Sequence, residues 1–142
     1  MKQSVGLWID HRKAIIVIIK NGKEFIRVIE SNVERRVRLA GGSRTASPYG
    51  PQEVASESKR DERYRHHLDA YYREVIRAIQ DADSILIFGP GEAKGELKKA
   101  IEESKDVGRR IMGVESSDKM TQRQIAAKVR DYFVKERASR RE

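Results

Sequence analysis

From Ala14 to Ile19 the chain reads AIIVII, unbroken and mostly β-branched. Such side chains lose rotamer freedom in a helix and pack well on a pleated surface. Asn21-Gly22 follows almost at once. Two-residue hairpins favour that pair because both central residues take positive φ. The next run, Glu24 to Glu30, alternates, with Phe25, Arg27 and Ile29 on one face and Ile26 and Val28 on the other. A shorter apolar run, Val5 to Ile9, lies upstream and joins through the turn-like Asp10-His11-Arg12-Lys13. The first third therefore predicts three consecutive antiparallel strands. The middle one, apolar on both faces, belongs inside the sheet.

After Ser31 the pattern dissolves. The stretch 31–58 contains VRLAGGSRTASPYGPQ, with no usable hydrophobic period and two adjacent glycines, and it reads as a long loop. Helical spacing then takes over. Tyr64, Leu68, Tyr71, Tyr72, Val75, Ile76 and Ile79 recur at three- and four-residue intervals and predict a helix from about Glu57 to Gln80. Ser84 to Phe88 (SILIF) reads as a buried strand, Glu92 to Ser104 as a helix, and Arg109 to Val114 as a last strand. Ser116-Ser117-Asp118 reads as the cap of a final helix from about Thr121 to Lys135. The charged tail 136–142 is expected to fray. The expectation is one α/β domain over residues 1–135, with a mixed sheet and helices on its faces. Its order, βββ-long loop-αβαβα, is that of the ribonuclease-H-like fold.

Charge and cysteine content narrow the function classes. The 142 residues carry a formal net charge of +8, which favours polyanionic partners: RNA, DNA or an acidic membrane surface. There is no cysteine, which excludes a disulfide framework, thiolate metal sites and a cysteine nucleophile. No apolar stretch reaches the roughly 18 residues of a membrane span. A soluble cytoplasmic protein is the expectation, without a membrane partner.

Three segments carry a resemblance. They are VGLWIDHRKAIIV, then LAGGSRTASPYGPQ leading into RDERYRHHLDAYYREVI, then ILIFGPGEAKGELKKAI followed by ESSDKMTQRQIAAKVRDYF. Together they cover nearly the whole chain. It resembles the middle domain of archaeal and eukaryotic peptide-chain release factors and of Pelota, and the bacterial group called "translational machinery protein". The resemblance implies a module that works at or near the ribosome. In release factors the corresponding loop carries a Gly-Gly-Gln tripeptide whose glutamine backbone helps to position the hydrolytic water. Here the matching diglycine is Gly41-Gly42, and Ser43 stands where the glutamine would be; the nearest glutamine is Gln52. The departure falls on the residue that would act, so no catalytic residue is assigned.

Around the diglycine, Arg35, Arg36, Arg38 and Arg44 supply phosphate partners, and Gly41, Gly42 and Ser43 allow the backbone to approach a second surface closely. Lys59, Arg60 and Arg63 extend the basic surface onto the following helix. These ten residues form the candidate RNA-binding set. Two readings fit the loop: a finger that orders on RNA, or a surface insertion tolerated at low entropic cost. Tyr64, Tyr71 and Tyr72 are read as core residues rather than base-stacking platforms.

Other motifs point to ordinary structural roles. GPGEAKGE lacks the Gly-Lys-Ser/Thr ending of a P-loop and the glycine spacing of a dinucleotide fingerprint, and reads as a strand-to-helix turn. Asp10 is the one carboxylate suited to two-metal hydrolysis, and Gly89 stands where a second would be needed after SILIF. Asp10 is read as shaping its turn. His66 and His67 are adjacent on a helix and cannot chelate one ion together. No metal and no cofactor are expected.

The reading is a small ribosome- or structured-RNA-associated protein of translation, presenting a basic Gly-Gly loop without catalysis. A competing class is a peptidyl-tRNA (ester) hydrolase using the loop to position water, with Ser43 and Gln52 as its first candidates. A third is a homo-oligomeric scaffold whose charge serves only solvation.

Overall fold

The computed structural model describes residues 2–33 and 50–141, with backbone alone at 50–58, 60, 105 and 137–141. Five strands form one mixed sheet: β1 (Gln3–Ile9), β2 (Lys13–Lys20), β3 (Lys23–Glu30), β4 (Ser84–Gly89) and β5 (Ile111–Ser116). Their spatial order is β3-β2-β1-β4-β5. The first three strands pair antiparallel in sequence, as the hairpin signals require. Asn21 and Gly22 both take positive φ, 55° and 76°, so the predicted turn chemistry is the one used. β4 joins β1 in parallel and β5 joins β4 in parallel. β1, β3, β4 and β5 therefore share one direction, and β2 alone opposes them.

Two cores form, one on each face of the sheet. On the first face, Val5, Leu7 and Ile9 of β1 and Ile85 and Ile87 of β4 pack against α1 (Gly50–Ile79) and α2 (Ala93–Glu102). A single helical turn, α3 (Lys105–Gly108), follows α2. On the opposite face, Trp8, Ile15, Val17, Leu86 and Phe88 pack against Ile125, Ala126, Val129 and Phe133 of α4 (Gln122–Arg141). Alternate residues of β1 and β4 thus feed opposite cores, which is why the strands are apolar from Val5 to Ile9 and from Ile85 to Phe88.

Of the side chains its spacing promised, helix α1 buries Leu68, Tyr71, Tyr72, Val75 and Ile79, and Tyr64 and Ile76 are half-buried against them. Arg110 closes its C-terminus, donating from its guanidinium to the carbonyls of Gln80 (2.8 Å) and Ala82 (3.1 Å). Two helix boundaries depart from expectation. α1 begins at Gly50, not near Glu57, so the stretch 50–58 assigned to the loop is helical. Pro51 sits in the first turn, where a missing N–H costs nothing. At the other end α4 runs on to Arg141 through the tail expected to fray. Neither extension carries an apolar stripe; the one at the end of α4, ERASRR, is rich in helix-forming Glu, Arg and Ala.

The cap of α4 also differs. Ser116 still belongs to β5, and Thr121 caps the helix instead. Its hydroxyl accepts from the Gln124 backbone N–H (3.1 Å), while the Gln124 side-chain carbonyl accepts from the Thr121 N–H (2.9 Å). This is a reciprocal capping box.

Candidate functional site

The four strands that run together end on one edge of the sheet, and each contributes to an open cavity of ≈ 790 Å³ there. Asp10 and His11 follow β1, Ser31, Asn32 and Val33 follow β3, Pro90 follows β4, and Asp118 and Lys119 follow β5. Ligands of open α/β sheets bind outside the carboxyl ends of strands, where neighbouring strands send their helices to opposite faces. β4 and β5 do so here: α2 lies on the first core face and α4 on the second.

Local chemistry sets this edge. Asp10 Oδ1 accepts from the backbone N–H groups of Arg12 and Lys13, both at 2.8 Å, so the carboxylate folds the β1–β2 turn as the sequence suggests. Ser31 is buried and donates its hydroxyl to the His11 carbonyl (2.6 Å). The Trp8 indole N–H donates to the Asp118 carbonyl (3.1 Å), and the Ser117 N–H to the Gly89 carbonyl (3.1 Å). These bonds draw the segment after β5 against the ends of β1 and β4.

A second group lies behind the first. His11 Nε2 is 2.9 Å from Glu96 Oε1, and the Tyr72 hydroxyl donates to the same oxygen at 2.6 Å. The neighbouring Tyr71 hydroxyl donates to the Asp10 carbonyl (3.1 Å). Burial alone would raise the Glu96 carboxyl. The hydrogen bonds from Tyr72 and His11, with the charges of His11 and Arg65, outweigh it and hold the group below the ordinary carboxylate range. Burial pushes both phenols well above the ordinary tyrosine value. The Glu96 hydrogen bond and charge add to this at Tyr72, and the charges of Asp10 and Glu74 add at Tyr71. Tyr72, Glu96 and His11 also line a second cavity of ≈ 670 Å³ between α1 and α2, with Asp61, Arg65, Asp69 and Lys99. The group fixes the orientation of the His11 ring between two cavities. Among the described residues, no three His, Asp or Glu side chains gather closely enough to hold a metal ion.

Of the sequence-predicted binding residues, Arg35, Arg36, Arg38, Gly41, Gly42, Ser43 and Arg44 lie outside the described residues. Lys59 is exposed on α1 and Arg63 is half-buried four positions on, which places both on one flank of the helix. Arg60 is placed on α1 by its backbone. Tyr71 and Tyr72 are core, as read, whereas Tyr64 is half-buried against the core and lines both cavities. His11, Ser31 and Glu96 were not anticipated as partners in a site. Glu96 was noticed only as part of a turn motif, and nothing local announces that it meets His11.

No protein-family model and no curated protein matches the chain. Solved structures do. The fold is similar to part of the Pelota protein of Thermoplasma acidophilum, with a TM-score of 0.51 at 14% identity over 84% of this chain. The archaeal translation termination factor aRF1 is matched at a TM-score of 0.46 and 12% identity, over 96% of this chain and 40% of that one. A PilM-PilN type IV pilus biogenesis complex is matched at 0.45 and 16%, over 82% of this chain and 35% of that one. The chain spans 29% of the length of the Pelota chain, so the likeness is one of a shared domain fold.

Proposed function

We propose that the protein is a translation-related module that docks on ribosomal or other structured RNA through a basic arm at the carboxyl edge of its sheet. The carrying observation is the reach of α1. The helix spans 30 residues, about 45 Å at the α-helical rise, against about 25 Å for the longest strands. Its C-terminal half packs in the core, and Tyr71 ties it to the β1–β2 turn. The part from Gly50 to Arg60 continues the helix for about 16 Å on the side of the larger cavity.

The segment 34–49 joins Val33, a wall residue of that cavity, to the start of α1 at Gly50. It carries Arg35, Arg36, Arg38 and Arg44 against the single acid Glu34. Both flanks of this segment, Val33 and Gly50, thus lie at that edge, and Lys59, Arg60 and Arg63 follow on the helix. Guanidinium forks suit phosphate oxygens, and Gly41, Gly42 and Ser43 let the backbone approach a folded surface. The Pelota-like fold supports translation as the setting.

Ribosome co-sedimentation of the intact protein tests the reading. Pelleting should weaken steeply as salt rises, with a log–log slope of about 0.7–0.9 per phosphate neutralised. Replacing Arg35, Arg36, Arg38 and Arg44 with alanine should lower that slope by roughly three to four. Pelleting that is absent, or indifferent to the four substitutions, removes the proposal.

A further inference from the structure

Among the described residues, the exposed large apolar side chains are Phe25 (51%), Ile26 (46%), Val28 (41%) and Val134 (65%). Three of the four lie on β3, the edge strand. The fourth stands one helical turn beyond Arg130, whose guanidinium pairs with Glu24 of β3. The patch is therefore one edge of the molecule rather than scattered side chains.

Its shape limits what can cover it. In register with β2, Phe25, Arg27 and Ile29 share the face of Ile18, Ile16 and Ala14, which is the α1–α2 face. Ile26 and Val28 share the face of Val17 and Ile15, which is the α4 face. Of the residues from Lys23 to Glu30 only Ile29 is buried. A helix laid on either face would leave the other bare. A strand added in the plane of the sheet covers both faces and satisfies the outer row of backbone N–H and C=O groups.

We infer that β3 is the docking edge for a second copy of this chain, paired antiparallel about a two-fold axis at Ile26. Two-fold antiparallel pairing must place some residue opposite itself, because hydrogen-bonded and non-hydrogen-bonded pairs alternate along the ladder. Charge and the length of strand overlap select which residue. An axis at Arg27 would set two guanidiniums face to face and Glu24 opposite Glu30. An axis at Phe25 would set Lys23 opposite Arg27, and one at Val28 would pair only residues 26–30 of the strand and leave the exposed Phe25 outside the ladder. With the axis at Ile26 no like charges oppose one another. Ile26 meets its own copy, Phe25 meets Arg27 in a cation–aromatic pair, and Glu24, already held by Arg130, meets Val28. The strand is its own complement in this register, and the two sheets become continuous across the axis.

The chain has no cysteine, so a single introduced thiol reports the pairing. Directly opposed Cβ atoms in antiparallel strands lie about 4.5–5.5 Å apart, within reach of a disulfide after small adjustment. Under mild oxidation Ile26→Cys should give a covalent dimer, and Lys98→Cys, exposed on α2, should not. In sedimentation equilibrium the wild-type protein should show a concentration-dependent dimer. Ile26→Lys should remain folded by circular dichroism and be monomeric, because position 26 is half-exposed in the single chain. Mixing Ile26→Lys with Ile26→Glu should restore a dimer. A wild-type protein that stays monomeric at every concentration overturns the inference, as does a dimer that survives Ile26→Lys or cross-linking that is equal at both positions. The readout is independent of the arm, so it stands or falls separately from RNA binding.

Discussion

His11 Nε2 lies 2.9 Å from Glu96 Oε1, although the two residues are 85 positions apart. The contact exists because β1 and β4 are parallel neighbours, so that the turn after one and the helix after the other open on the same edge. It ties the wall of the larger cavity to α2, and Tyr72 ties α1 to the same oxygen.

This oxygen makes acid stability depend on Glu96. Its carboxyl sits below the ordinary range in the folded protein, so the unfolded chain takes up the proton first as pH falls. The contribution is complete above the ordinary carboxylate value and is lost as pH drops through the folded one. Glu96→Gln should therefore be less stable than wild type at neutral pH, and the gap should close on acidification. Because the side chain is 41% exposed, solvent screening keeps the gap to about 1 kcal/mol or less. Urea unfolding at neutral and acid pH measures it, and a gap that is constant with pH would refute the assignment.

Alkali acts through the phenols. Tyr71 and Tyr72 are held protonated above the ordinary tyrosine value of about 10, so the unfolded chain ionises first as pH rises. Their contribution is complete below that pH and declines above it. Phenolate absorbance should show these two residues silent until the protein unfolds, then appearing together with loss of the circular dichroism signal. Tyr72→Phe should weaken the alkaline dependence while costing about 1–2 kcal/mol at neutral pH through its lost bond to Glu96.

Two glycines near the site should respond in opposite directions. At Gly89, φ is +151° and an added Cβ would lie 2.2 Å from the Ile9 carbonyl oxygen, a backbone atom that cannot swing away. Gly89→Ala should cost about 2–3 kcal/mol or more by forcing β4 from β1 at their carboxyl ends. At Gly95, on α2, nothing lies within 4 Å of an added Cβ. Gly95→Ala should stabilise by about 0.5–1 kcal/mol. Chemical denaturation of the two variants tests the contrast; equal effects would contradict it.

What was legible in the sequence was what short-range chemistry encodes. The β-branched run 14–19 and Asn21-Gly22 announced β2 and β3, and the spacing from Leu68 to Ile79 announced the buried face of α1. The first turns of α1 and the last of α4 stayed hidden because they have no apolar face, and hydrophobic periodicity reads only buried helix. The α4 cap was misplaced because Ser116 remains paired in β5, leaving Thr121 and Gln124 to satisfy the helix end. The His11–Glu96–Tyr72 cluster was not legible at all. It depends on which strands become neighbours, and no local pattern specifies the register of a parallel pair formed across a long connection. The exposed apolar alternation of β3 was visible, but its position at the sheet edge was not.

The opposite face offers a test of packing. Gly6 of β1 lies directly under Val129 of α4: a Cβ built on Gly6 would come within 2.3 Å of a Val129 methyl. Both residues are buried, in the sheet centre and in the second core. Gly6→Ala should destabilise by about 1–3 kcal/mol through overpacking. Val129→Ala alone should also destabilise, by leaving space above the glycine. Combining them places the new methyl in the vacated volume, so the double variant should be more stable than the sum of the single effects by about 0.5–3 kcal/mol. Denaturant unfolding of all four proteins closes the cycle. Strict additivity would mean that α4 can shift away from β1 freely, and that the helix is not seated on Gly6.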